Sequence, residues 1–176
     1  QAEVARETTQ KSFANSCDLG ADAWDRKEYE NVAQHYADAL KALGSLDHPK
    51  KSLAQDRLNA ANQELKKRTD SKAKSEEAHT AFKEGRLAAA VESYKGALEV
   101  WPETPDRARI EQALQAAMAQ MKTQELERKL AGAKAALKAK DWSNGRRLLE
   151  ELEKENYRST EVQDGLREVR YCESME

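Results

Sequence analysis

The chain has 176 residues, with 30 Lys and Arg against 32 Asp and Glu and 35% charged side chains. That length holds one ordinary domain or one array of small repeats, and no apolar run approaches the roughly 20 residues that a bilayer-spanning helix needs. A formal charge of -2 gives no broad electrostatic pull toward nucleic acid or acidic membranes.

The apolar side chains are mostly Ala (29 residues) and Leu, with six Val and one Ile. Few β-branched residues and abundant Ala, Leu, Glu, Lys and Gln predict helix nearly throughout. In chain order, residues 2–26 form a first helix and 28–43 a second, stopped by Gly44 as a C-cap. Asp47-His48-Pro49 opens a third, which either runs unbroken to Lys83 or breaks at Thr69-Asp70-Ser71. Its stretch Lys66 to Glu77 has almost no apolar residues and reads as solvated. Residues 86–100 form the next helix. Thr104-Pro105 starts a long one carrying Ile110, Leu114, Ala117, Met121, Leu126, Leu130, Ala133 and Leu137 on one face. Residues 142–155 follow, and Thr160 with Gln163 predicts a capping box for a last helix near 160–174.

A repeat lies within this map. The bulky residues flanking a turn are five apart in three places: Trp24/Tyr29, Phe82/Leu87 and Leu137/Trp142. The next bulky residue is seven further on each time, at Tyr36, Tyr94 and Leu149. Amphipathic helices alone explain a rhythm of three or four, not this shared spacing. Small residues fill the intervening slots, as helices that approach closely require. Between the copies Leu58, Ala61 and Leu65 match Leu114, Ala117 and Met121, with Leu166 and Val169 equivalent in the last copy.

These residues resemble the tetratricopeptide repeat (TPR) family. Leu19-Gly20, Tyr29, Tyr36 and Ala39-Leu40 match its pattern in the first copy. Ala78, Gly85, Ala90, Tyr94, Ala97-Leu98 and Pro102 match in the second, and Ala133, Trp142, Leu149 and Leu152 in a degenerate third. The copies here lie 58 and 55 residues apart, longer than the family period. The resemblance implies an all-α fold: a TPR-like array of three helical hairpins (about 13–44, 71–102 and 126–157) with extended first helices and a C-terminal capping helix, in a single domain over 1–176. It also implies a groove for a peptide or protein partner. By slot, its positions are Cys17, Ala21 and Trp24, then Ser75, His79 and Phe82, then Leu130, Lys134 and Lys138. They do not supply the Lys/Asn clamp of chaperone-binding members. The expected partner-binding residues are Trp24, His79, Lys83, Lys134 and Lys138, and Trp24 and Phe82 also read as packing residues.

Catalysis is not expected. His35, His48 and His79 lie in separate segments with no metal-ligand spacing, and no nucleophile motif or phosphate-binding loop occurs. No cofactor is expected. The basic cluster Lys66, Lys67, Arg68, Lys72 and Lys74 lacks interleaved aromatics for stacking on nucleic acid, so the cluster reads as a solvated face. Cys17 and Cys172 read as two separate small apolar residues. Helical patterning up to both ends favours a piece of a longer protein, and the compartment, cytoplasmic or exported, is left open. Two functions follow: a non-catalytic protein-protein interaction scaffold, or a structural or regulatory helical arm of a larger bacterial signalling or envelope protein that self-associates.

Overall fold

The computed structural model describes residues 2–175. They contain seven α-helices and no strand: α1 (Ala2–Asp25), α2 (Tyr29–Leu43), α3 (Lys51–Lys83), α4 (Leu87–Val100), α5 (Arg107–Lys138), α6 (Trp142–Lys154) and α7 (Ser159–Glu173). None is long and apolar enough to cross a membrane. The helices group into two compact units. One comprises the chain up to Glu77 with Lys95–Arg107, the other Ala78–Tyr94 with the chain from Ala108 onward.

Four inter-helix turns close with the same backbone hydrogen bonds. After α1, the N–H of Lys27 donates to the Trp24 carbonyl and that of Glu28 to the Ala23 carbonyl, at 2.9 and 3.0 Å. After α3, Gly85 donates to Phe82 and Arg86 to Ala81. After α5, Lys140 donates to Leu137 and Asp141 to Ala136. After α6, Asn156 donates to Glu153 and Tyr157 to Leu152. This pair of bonds is the Schellman closure, which satisfies the last helical carbonyls by turning one residue left-handed. That residue is Lys27, Gly85, Lys140 or Asn156, with φ of 58°, 75°, 60° and 50°. In the first three turns the next residue already accepts the first bond of the following helix: Val32 donates to Glu28, Ala90 to Arg86 and Gly145 to Asp141. One residue ends one helix and begins another, so the connections are short.

In the first unit α2 doubles back along α1, because Gly20 leaves room for the Tyr36 ring. The core is Phe13, Cys17, Ala23, Val32, Tyr36, Ala39, Leu43, Ala54 and Ala61, flanked by Leu58. The polar start of α3 therefore packs its Ala and Leu stripe on the α1–α2 pair. Burying a side chain such as Phe13 or Leu43 contributes about 1.5–3 kcal/mol. Gly44 caps α2 as expected, its N–H donating to the Leu40 carbonyl. The Lys51 ammonium then bonds the Gly44 and Leu46 carbonyls, each at 3.2 Å.

Helix α3 is unbroken through Thr69-Asp70-Ser71. The Thr69 hydroxyl folds back onto the Leu65 carbonyl at 3.0 Å. The stretch Lys66–Glu77 is not uniformly solvated, which corrects the sequence expectation. Ser71 is 1% exposed and donates to the Ala97 carbonyl of α4 at 2.9 Å. Lys74 lays its side chain against Gly96. The stripe facing α4 is built from small or amphipathic residues, which hydropathy does not register.

In the second unit Ala78, Ala81, Leu87, Ala90, Val91 and Tyr94 are buried around the Gly85 turn. Leu126, Leu130, Ala133, Leu149, Leu152, Val162, Leu166 and Val169 form a further core. Close approach is again through glycine: Gly145 faces Leu137, and Gly165 faces Leu149. On the long face of α5, Ile110 and Ala117 are buried but Met121 is 41% exposed. The predicted capping box of α7 does not form. The N-cap is Arg158, left-handed at φ 42° and without a side-chain cap. Gln163 instead hydrogen-bonds Glu153 of α6. Because α7 begins at Ser159, Thr160 lies inside the first turn and cannot serve as the cap.

Candidate functional site

The sequence-predicted site residues fall in both units. In the first, Trp24 is half-buried. It meets the Tyr29 ring edge-on at 5.5 Å and 82°, and the Arg57 guanidinium lies over it at 4.3 Å. Both contacts are internal, so much of its surface serves packing. Cys17 is buried, and loss of solvation pushes its thiol pKa up. It is thus closed to a ligand, although its slot is a groove slot; Ala21 is exposed. Both cysteines are free.

In the second unit His79 and Lys83 are exposed one helical turn apart on α3, and Lys134 and Lys138 likewise on α5. Lys134 is tied to Glu161 of α7. The Glu161 carboxyl is held below its ordinary value chiefly by that hydrogen bond. Among the described residues no hydrogen bond or ion pair joins His79 or Lys83 to Lys134 or Lys138. Leu130, a groove slot by resemblance, is 4% exposed and belongs to the core. Phe82 is half-buried.

Lys134 belongs to a ladder of pairs between α5 and the helices after it. Lys129 bonds Glu151 at 3.1 Å and Glu125 at 3.4 Å, and Lys122 bonds Glu155 at 2.7 Å. Hydrogen bonding to Lys129 lowers the Glu151 pKa, and hydrogen bonding to Lys122 lowers that of Glu155. Among the described residues no three His, Cys, Asp or Glu side chains are grouped to hold a metal ion.

A concave site the sequence did not announce lies in the first unit. It is a cleft of about 300 Å³ lined by Lys27, Tyr29, Glu64, Arg68, Trp101, Glu103 and Pro105. The Arg68 guanidinium carbon is 4.8 Å from the Tyr29 ring centroid and 5.3 Å from that of Trp101. Its polar contacts are long: 3.4 Å to the Lys27 carbonyl and 3.7 Å to Glu30. Its Nε is buried without a hydrogen-bond partner. Glu64, by contrast, is engaged by Lys67 at 2.6 Å, and that bond raises the Lys67 pKa. Tyr29, Arg68 and Trp101 are far apart in sequence, so no local motif marks the cleft. Arg68 stood out only as one member of the basic cluster.

No protein-family model, curated protein or solved structure matches this chain.

Proposed function

We propose that this chain is a non-catalytic interaction scaffold: a TPR-like array of three helical hairpins whose groove holds a peptide or protein partner. The observation that carries the reading is the repeated turn. The Schellman closures at Lys27, Gly85 and Lys140 fall on equivalent positions of the three sequence copies, 58 and 55 residues apart, and a fourth at Asn156 joins the third hairpin to α7. Gly20 beneath Tyr36 and Gly145 beneath Leu137 are the small-under-large crossings such an array needs. A stack of thin helical layers buries each face on its neighbour and needs no single large core. Its mixed-charge side chains suit binding rather than chemistry.

Trp24, His79, Lys83, Lys134 and Lys138 are the residues assigned to the partner. Among them Lys138 is the cleanest probe, since it is exposed, whereas Lys134 is already bonded to Glu161. The test is affinity capture on the immobilised chain, then titration of the purified captured protein. A partner that binds with one-to-one stoichiometry and is weakened by Lys138→Glu supports the reading. Binding indifferent to Lys138, His79 and Lys83 substitutions sinks it.

A second reading, a self-associating structural arm of a larger protein, is favoured by one observation. Met118 and Met121 on α5 are 45% and 41% exposed. Sedimentation at micromolar concentration separates the two. A dimer dissociated by Met118→Lys supports the arm, and a monomer supports the scaffold.

A further inference from the structure

We propose that the cleft around Arg68 is a binding site for an acidic side chain of a peptide partner, with a neighbouring apolar side chain seated against Trp101 and Pro105. This site is separate from the groove residues assigned above and does not depend on them.

The guanidinium is positioned but under-used. Tyr29 and Trp101 approach it at 4.8 and 5.3 Å and fix its plane, which orders the long side chain in advance. A guanidinium offers five N–H donors. Here they find only a carbonyl at 3.4 Å and a carboxylate at 3.7 Å, while Nε has none. Charge-assisted bonds to a carboxylate normally close to about 2.7–2.9 Å. Nη1 and Nη2, held only by these long contacts, thus keep donor capacity for an incoming carboxylate, whereas the buried Nε lies out of a ligand's reach. Lys27 adds a second, exposed cation at the rim. The acidic lining does not cancel it, because Glu64 is spent on Lys67. Glu103 remains, and it excludes a densely acidic ligand in favour of a single carboxylate.

Glu30 is the internal competitor. Its side chain is 70% exposed and reaches Arg68 only at 3.7 Å, so an incoming carboxylate can replace it at small cost. A cleft of about 300 Å³ sits at the lower end of ligand-sized cavities, roughly 300–1,000 Å³, and suits two adjacent side chains.

The test uses the full chain, 15N-labelled, and two blocked dipeptides, acetyl-Phe-Glu-amide and acetyl-Phe-Gln-amide. The readout is the Trp101 indole N–H resonance, titrated to about 10 mM peptide, since a contact of this size binds weakly. The expected result is a saturable shift with the Glu peptide, at least several-fold weaker with the Gln peptide, and lost in Arg68→Gln. If Arg68→Gln unfolds, Glu30→Gln keeps the proposal open to refutation, because removing the competitor tightens binding by about two- to fivefold. Equal shifts with both peptides, no shift with either, or unchanged affinity in Glu30→Gln would each overturn the proposal.

Discussion

Gly20 of α1 lies beneath the ring of Tyr36 of α2 so closely that a Cβ built on it meets Tyr36 Cε2 at 2.8 Å. The ring is 4% exposed and hemmed in, so it has nowhere to retreat. Gly→Ala inside a helix ordinarily gains about 0.5–1 kcal/mol, but overpacking costs about 1–3 kcal/mol. Gly20→Ala is therefore expected to destabilise by about 1–2 kcal/mol in urea denaturation. Gly145 meets Leu137 Cδ2 at the same 2.8 Å, but that atom is the tip of a flexible chain. Gly145→Ala should fall within about 1 kcal/mol of the parent. Equal losses for the two would refute the role given to ring rigidity.

The left-handed turn residues make a second prediction. Lys27 and Lys140 sit at φ 58° and 60°, where a Cβ costs about 1–2 kcal/mol. Part of that relief is offset by the added freedom of glycine in the unfolded chain. Lys27→Gly and Lys140→Gly should each raise stability by about 0.5–1 kcal/mol. Gly85, at φ 75° with open space around its Cβ position, should lose about 1 kcal/mol on change to Ala, from backbone strain alone. Thermal melts of the three single variants read the sign directly.

Ser71 supplies a third. It is fully buried and donates to the Ala97 carbonyl, which also accepts from Trp101 N–H at 3.2 Å. Ser71→Ala leaves that carbonyl satisfied, so the loss should be near the low end for a hydrogen bond, about 0.5–1 kcal/mol. Ser71→Lys, which forces an ammonium into the same contact, should cost several-fold more. Matching chemical denaturation curves for the two variants would contradict the buried placement.

The α5 ion-pair ladder sets a pH dependence. Glu151, Glu155 and Glu161 have pKa values lowered from 4.5 by their lysine partners. A depressed folded value means that the contribution is present above 4.5 and is lost as pH falls through the lower folded value. The Lys129 pKa is raised from 10.5, chiefly by its bond to Glu151. Its contribution is present below 10.5 and is lost as pH rises through the higher folded value. The ladder's contribution should thus be flat between these limits and fall on both sides, and Glu151→Gln should flatten the acid limb. Because the pairs are exposed, raising salt from about 0.15 to 1 M should also weaken them. An acid limb unchanged in Glu151→Gln would show that the ladder contributes nothing.

Much of the helix map was legible from sequence because the signals are local. Gly44 stops α2, and the helices on either side of Arg26, Arg86 and Asp141 end where the small and bulky slots change face. Hydropathy failed where the buried surface is not apolar. Ser71 and Arg68 lie in a stretch that reads as solvated. The hydroxyl is buried because the Ala97 carbonyl receives it, and the guanidinium is half-buried because two rings cover it. Thr160-Gln163 has the local form of a capping box, yet α7 begins at Ser159 with Arg158 as its N-cap, and Gln163 bonds Glu153 instead.

Abundant Ala, Leu, Glu, Lys and Gln, few β-branched residues and 30 basic against 32 acidic side chains determined an all-helical chain with a mixed-charge exterior. They also placed small residues where helices cross, because backbone approach is limited by the side chain at the crossing itself. Only the tertiary structure decided which charged residues are spoken for. Lys134 is committed to Glu161, and Arg68 is clasped by Tyr29 and Trp101 with its Nε unpartnered. Those partners come from other helices or from the chain after α4, and the distances between them arise only when the helices pack.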